Sequence, residues 1–577
     1  MRSLLILPLV LAAVANVAQA LEPLRLERLE RCDDLLDTQR QVFCLKARGL
    51  EAGAVQVLLA GTKIDSEREA DRLKVTLQAG RNPSGGVWLE QAGRSSNAVW
   101  LSMAGNHVLA ARPNEVATNM DGLTTYVNLV SVIVEERYEG LAEAKKLAQK
   151  YGAAVVGAIP ALNTYQLRLP THNLIERDAL VLRLGTEVSV DAVVVEESAP
   201  EESEHKLTLD QGHQDEWAAN RFVDAVNYYR KRIPARGDPI KPVPIRVGVI
   251  ERDVDFDAAD FADYIGPCQA PRTCLYARDA GQPDQHGSTV AGVLVAHWQK
   301  GGNTGFLRGL EGASSGFEVI VDRDTDAGIT ANVAASVNLV EDGVRVLNWS
   351  WGLHRIGARN VQGEEIDSLV RSGLAMSGYE ELLEEFFLWL RQKHPDVVVI
   401  NSAGNGSSFS GQDEYRLPSS FVTDQLLVVG GHERSADKER PVQDPGYAVK
   451  RASSNIDLRV DITAAACTRA STEQEGEEGG VHCGTSFSTP MVTGVVAAML
   501  SINPALTPEQ LRMLLRRSSL PIGGNYDFEP MDGEDLTAPI LPSERNYQLD
   551  NTDVGRSARL DMQKALDLTV QSKDRRR

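Results

Sequence analysis

The sequence predicts an α/β protein built on a mostly parallel, doubly wound sheet, preceded by a small β-rich domain and a compact α+β unit. Three observations carry this expectation. Short apolar runs at residues 245–250, 318–321, 345–348, 397–400 and 426–429 alternate with helical patterns near Ala291, Ala334, Leu382 and Gly494, the mark of a parallel sheet covered on both faces. Residues 124–198 read strand, helix, strand, strand, helix, strand. Residues 21–123 read as short strands separated by Gly, Asn, Ser and Pro. A chain of 577 residues holds three or four domains at roughly 150 residues each.

The first twenty residues stand apart from the fold. Arg2 precedes an apolar run over residues 4–17, and Ala18-Gln19-Ala20 supplies the small-x-small pattern of a signal-peptide cleavage site. The mature chain is expected to begin at Leu21, exported to a periplasm or to the outside. No later segment offers eighteen uninterrupted apolar residues, so no membrane span is expected. In an oxidising compartment, six cysteines in three sequence-local pairs suggest disulfides Cys32–Cys44, Cys268–Cys274 and Cys467–Cys483. Spacing alone leaves other connectivities open. A balance of 60 basic against 80 acidic residues, net −20, argues against nucleic-acid binding.

Within residues 21–123, stretches 55–60, 73–77, 87–90 and 98–103 carry the strand signal, and His107 is isolated, with no catalytic spacing around it. In the α+β unit, 127–134 reads as a strand and 138–151 as a helix with Leu141, Ala144, Leu147 and Ala148 on one face. Strands follow at 153–158 and 164–169, a helix at 173–184 and a strand at 188–195, a split, ferredoxin-like order. An acidic linker, 198–205, leads to the long remainder, 201–570, and a basic tail, 571–577, reads as a solvated terminus.

In open parallel sheets the functional groups collect at the carboxyl ends of strands. Ser486 follows a Gly-Thr turn and precedes a small-residue apolar helix, whose first turn is expected to hold Pro490. His286 opens another apolar helix, and imidazole is the side chain suited to taking a hydroxyl proton near neutrality. Asn405 sits in a glycine-bearing loop after strand 397–400, where a carboxamide with the Ser486 N–H would hold a developing oxyanion. Each segment alone also reads as plain structure: a serine cap, a packed histidine, a turn.

Together they resemble the subtilisin-like (subtilase) serine protease family. Its serine block is met by Gly484-Thr485-Ser486-Phe487-Ser488-Thr489-Pro490, its histidine block by His286 to Gly292 and its oxyanion block by Ala403-Gly404-Asn405, in the family's order. The resemblance runs from about Pro244 to the helix near Leu566. It implies a serine endopeptidase acting on polypeptides, with Ser350, Trp351 and Gly352 pairing with substrate on the acyl side of the scissile bond and Trp351 narrowing the pockets. It also implies that residues 124–200 are a propeptide that folds and plugs the enzyme, so that the linker around residues 200–209 is cut and the core begins near Asp210. No cofactor is demanded; calcium often stabilises the family, and the acidic stretch 255–263 lacks EF-hand spacing.

One block departs. Where the family has an apolar strand ending in Asp, this chain reads Ile250-Glu251-Arg252-Asp253. Register puts Glu251 in the position that orients the histidine; Asp253, two residues on along the same face of an extended chain, is the alternative. The altered block is also the one feature favouring a second function class, a non-catalytic relative that holds a polypeptide partner in its cleft.

Overall fold

The computed structural model describes residues 22–70, 72–198, 217–233, 240–281, 285–297, 305–323, 328–360, 364–366, 369–407, 416–437, 439–455, 459–469, 481–522 and 558–574. The expected signal segment and the linker cleavage site lie outside the described residues.

The amino-terminal domain is two small antiparallel sheets. Arg25–Arg31, Arg40–Arg48 and Arg72–Gln78 form one, and Gln56–Leu59, Gly85–Gln91 and Val99–Leu101 the other. Leu73, Val75 and Leu77 turn inward while Arg72, Thr76 and Gln78 face water, the alternation expected of a strand with one buried face. They pack on Phe43, Leu45, Val57 and Leu89. Val116–Thr118, still within the stretch expected to belong to this domain, instead pairs with Thr124–Tyr126 of the next unit.

The α+β unit comprises β1 (Thr124–Val134), α1 (Gly140–Tyr151), β2 (Ala154–Ile159), β3 (Thr164–Arg168), α2 (Leu174–Leu184) and β4 (Val190–Ser198). Its strands lie in the order β2-β3-β1-β4, all antiparallel. Asn173 caps α2 by accepting from Glu176 N–H, and α1 ends at Gly152, which supplies a left-handed backbone at φ 66°.

The remainder begins with α3 (Phe222–Arg232) and β5 (Ile245–Val249), continues through β6 (Cys274–Tyr276), α4 (Gln285–Val295), β7 (Phe317–Val321), α5 (Gly328–Glu341), β8 (Val346–Trp349), α6 (Gly373–Lys393), β9 (Val398–Ser402), β10 (Leu426–Arg434), β11 (Ala448–Lys450) and β12 (Ile462–Ala465), and closes with α7 (Thr485–Ile502), α8 (Pro508–Ser518) and α9 (Met562–Asp574). The sheet runs β6-β7-β5-β8-β9-β10-β12 with every pair parallel; β11 adds antiparallel to the end of β10. Val247, Val249, Val346 and Ile400 face the layer of α4, α7 and α9, whereas Ile320, Leu347, Val399 and Val428 face α5 and α6. Burial on both faces explains why these strands read as continuous apolar runs. The arrangement is the doubly wound α/β fold the sequence predicts. Helix α7 is long and apolar enough to cross a membrane, yet 94% of it is buried inside the protein.

The units share contacts. Two consecutive carboxylates at the end of β4 meet two helix starts: Glu196 accepts from the N–H groups of Ile329 and Thr330 in α5, and Glu197 from the N–H of Ser372, the cap of α6. Carboxyl oxygens there satisfy orphan N–H donors of the helix starts, while burial pushes the Glu196 carboxyl up. Trp88, Trp100 and Val108 of the amino-terminal domain, Ile133 and Val194 of the α+β unit, and Leu347 of the sheet belong to one apolar cluster. All three disulfides suggested by spacing are formed. The tail is less free than expected: Lys573 belongs to α9 and donates to the Ile502 carbonyl at 2.8 Å, a cation at the carboxyl end of α7.

Candidate active site

Strand β5 ends in a tight turn, Glu251 N–H donating to the Val249 carbonyl at 3.0 Å. From there the buried Glu251 carboxylate reaches His286, Oε2 lying 3.1 Å from Nδ1. The turn and α4 meet closely because residue 287 is glycine: a Cβ there would lie 2.5 Å from the Asp253 carbonyl oxygen. Ser288 fastens the same junction, its hydroxyl accepting from Asp255 N–H at 2.9 Å. Asp253, the alternative orienter, forms an ion pair with Arg278 at 3.3 Å. Nδ1 is thus the ring nitrogen that meets the Glu251 carboxylate.

The imidazole lies beside Phe487, ring centroids 5.4 Å apart, which brings it to the turn that carries Ser486. Helix α7 begins at Thr485, so Ser486 is in its first turn and Pro490 lies inside the helix, one turn later than expected. The reason is chemical. A proline lacks the N–H that would bond to the carbonyl four residues back, and that carbonyl, Ser486 C=O, is taken instead by the Ser350 hydroxyl at 2.8 Å. The Ser486 hydroxyl in turn donates to the Ser350 carbonyl at 3.2 Å.

Asn405 follows β9 on an exposed loop, but its carboxamide is fixed. Its Oδ1 accepts from the Thr485 N–H at 2.9 Å and from the Thr485 hydroxyl at 3.1 Å, and the Gly404 N–H donates to that hydroxyl. The amide nitrogen is left facing Gly484, 3.1 Å from where a Cβ would stand. Ala403 is held by Asn455, which donates to its carbonyl at 2.9 Å. Ser350, Trp351 and Gly352 continue from β8, and Asn401 of β9 donates to the carbonyls of Trp349 and Trp351. The Trp351 ring packs on Trp349 at 4.9 Å.

Several supporting residues have no sequence signal of their own. Thr493 donates to Asn348 Oδ1, and Asn348 Nδ2 donates to the Ser350 hydroxyl, at 3.0 and 2.9 Å; the chain runs from inside α7 to the Ser486 carbonyl. Asn455 sits in a loop with no diagnostic spacing. Thr485 is the exception, being part of the serine block.

In the acidic stretch 255–263 the carboxylates already have protein partners or are buried. Asp257 is bound by Arg25 and Arg48, Asp263 by Arg308 and His297, and burial raises the Asp260 carboxyl to about 6. Among the described residues no cluster of three metal-ligating side chains occurs.

A profile described as the Subtilase family matches residues 245–557, more than half of the chain. A calcium-dependent protease of Nostoc sp. is 24% identical over 304 residues, 49% of this chain and 43% of that protein. A probable subtilase-type serine protease of Deinococcus radiodurans is 26% identical over 240 residues, 41% and 28%. The chain thus spans less than half the length of these curated relatives. The crystal structure of fervidolysin from Fervidobacterium pennivorans superposes with a TM-score of 0.48 at 16% identity, covering 80% of this chain and 63% of that one. The matched span holds the whole parallel sheet and each of the three intact blocks, and the chain is a member of the subtilase family of serine proteases.

Proposed function

We propose that the protein is an exported serine endopeptidase that hydrolyses internal peptide bonds of polypeptides through an acyl-enzyme on Ser486. The observation that carries the reading is the Glu251–His286 contact of 3.1 Å, made beside the helix start that bears the serine. Glu251 holds Nδ1–H, so Nε2 accepts the Ser486 proton as Oγ attacks the carbonyl carbon. The oxygen that becomes negative is received by Asn405 Nδ2 and the Ser486 N–H at the positive end of α7, where one such donor is worth roughly 10²–10³ in rate. The imidazolium then protonates the departing amine, and water, deprotonated by the same nitrogen, hydrolyses the ester. In the resting protein Ser486 Oγ donates to Ser350 C=O. A substrate N–H that takes this acceptor by pairing along residues 350–352 frees the hydroxyl to turn to His286. The scheme uses side chains and backbone only and requires no cofactor.

Two finer points belong to the same reading. Three disulfides suit an exported chain. The α+β unit acts as chaperone and inhibitor, a role supported by Glu196 and Glu197 seated on the starts of α5 and α6. Casein hydrolysis by the purified protein tests the proposal: parent activity that vanishes in Ser486→Ala supports it, and equal rates in the two would refute it.

A further inference from the structure

Arg416 opens a short strand, Arg416–Leu417, that pairs antiparallel with Leu353–Arg355, directly after the 350–352 segment. Its side chain is 2% exposed. The guanidinium lies against the backbone of two glycines: a Cβ on Gly352 would sit 2.1 Å from Nη2, and one on Gly404, where φ is +103°, 2.4 Å from Nε. These glycines belong to the two segments that flank Ser486. Nη1 donates to the Ser402 carbonyl at 2.6 Å and the Ser419 hydroxyl at 3.0 Å. Among the described residues Nη2 reaches only the Ser402 hydroxyl, at 3.5 Å, and Nε has no partner. The Nε–Nη2 edge, the one that takes a carboxylate with two parallel bonds, is therefore the unsatisfied edge.

A buried cation is ordinarily paired, yet no carboxylate among the described residues bonds Arg416. Its cross-strand neighbour His354 is buried, lowered to about 3, and neutral. Burial lowers Arg416 to about 9, which leaves it protonated at neutral pH. Among the described residues these donors have no anion to pair with.

Resting on the protease reading above, a peptide laid along residues 350–352, with its carbonyl at Ser486 and its oxygen toward Asn405, sends the acyl-side residue's side chain between Gly352 and Gly404. We propose that Arg416 receives the carboxylate of that side chain, making the enzyme selective for cleavage after Glu or Asp. The linker expected to be cut during maturation carries Glu201, Glu202 and Glu204, and its structure lies outside the described residues.

The test uses processed full-length protein and quenched peptides identical except for Glu, Asp, Gln, Leu or Ala before the scissile bond. The expected kcat/KM for Glu is at least about tenfold that for Gln, since only the carboxylate forms a charge-assisted pair with the guanidinium. Arg416→Gln, its fold checked by fluorophosphonate labelling of Ser486, should bring the Glu-to-Gln ratio near one. Amino-terminal sequencing should place the new terminus after Glu201, Glu202 or Glu204. Preference for Leu, or for Ala as expected if Arg416 merely fills the pocket, would overturn the proposal and leave the protease reading standing. Absence of both cleavage and labelling would overturn the two together.

Discussion

Glu251 stands where the family has aspartate, and its longer side chain is accommodated by the strand-ending turn at Ile250 and by the close seat of Gly287. In the proposed mechanism its carboxylate, 3.1 Å from Nδ1, selects the histidine tautomer and stabilises the imidazolium. Removing the charge while keeping the shape, Glu251→Gln, should lower kcat roughly 10³–10⁴-fold with KM little changed, by analogy with the triad aspartate. Asp253→Asn should keep kcat within the same order of magnitude, because Arg278 pairs with that carboxylate. Steady-state kinetics on one peptide substrate decide between them; the reverse pattern would make Asp253 the orienter. At this scale Ser486, His286 and Asn405 were legible because each lies in an ordered block with diagnostic neighbours. Arg416 was not, since a lone arginine after an irregular loop has no spacing to betray it, and only folding sets it beside Gly352 and Gly404.

The elements were the most legible level, because a strand buried on both faces must be apolar throughout and a half-buried one must alternate. What periodicity does not carry is where a helix begins. The first turn of α7 was expected nearer Pro490, whereas the helix starts at Thr485 and the freed Ser486 carbonyl finds Ser350. Nor does periodicity reveal a misfit inside an element. Asp260 is buried, with its carboxyl raised from 3.8 to about 6 by desolvation. A folded carboxyl that holds its proton more tightly than the unfolded chain favours the fold at low pH. Stability is lost as pH climbs from about 4 to about 6, and stays lost above. Asp260→Asn, made on a Ser486→Ala background to prevent self-digestion, should raise stability at pH 8 by about 1–3 kcal/mol. That gain should fade near pH 4. Thermal midpoints at the two pH values read it, and a gain independent of pH would contradict the burial account.

Across the whole molecule the three units are less separate than the sequence suggests. Composition and rhythm divide the chain near residues 123 and 200, but nothing in them reports that Trp100 donates to Asp342 at 2.8 Å or that Asn106 bonds Asn338. Those are partners more than 200 residues apart, visible only when the chain folds. Arg48 likewise ties the amino-terminal domain to Asp257 and Asp279. A cut in the linker therefore leaves the amino-terminal domain bound through contacts that do not depend on chain continuity. Ser486→Ala should accumulate as one uncut chain, while the parent yields two fragments on a denaturing gel that co-elute in size exclusion. Equal processing of both would assign the cut to another protease.

The central claim is that a hydroxyl, an imidazole and a carboxylate, far apart in sequence, act as one proton-transfer chain. Fluorophosphonate labelling with mass-spectrometric mapping tests it most directly. The account predicts one labelled residue, Ser486, with labelling strongly slowed in His286→Ala and in Glu251→Gln. Labelling elsewhere, or labelling of Ser486 at the parent rate in both variants, would contradict it.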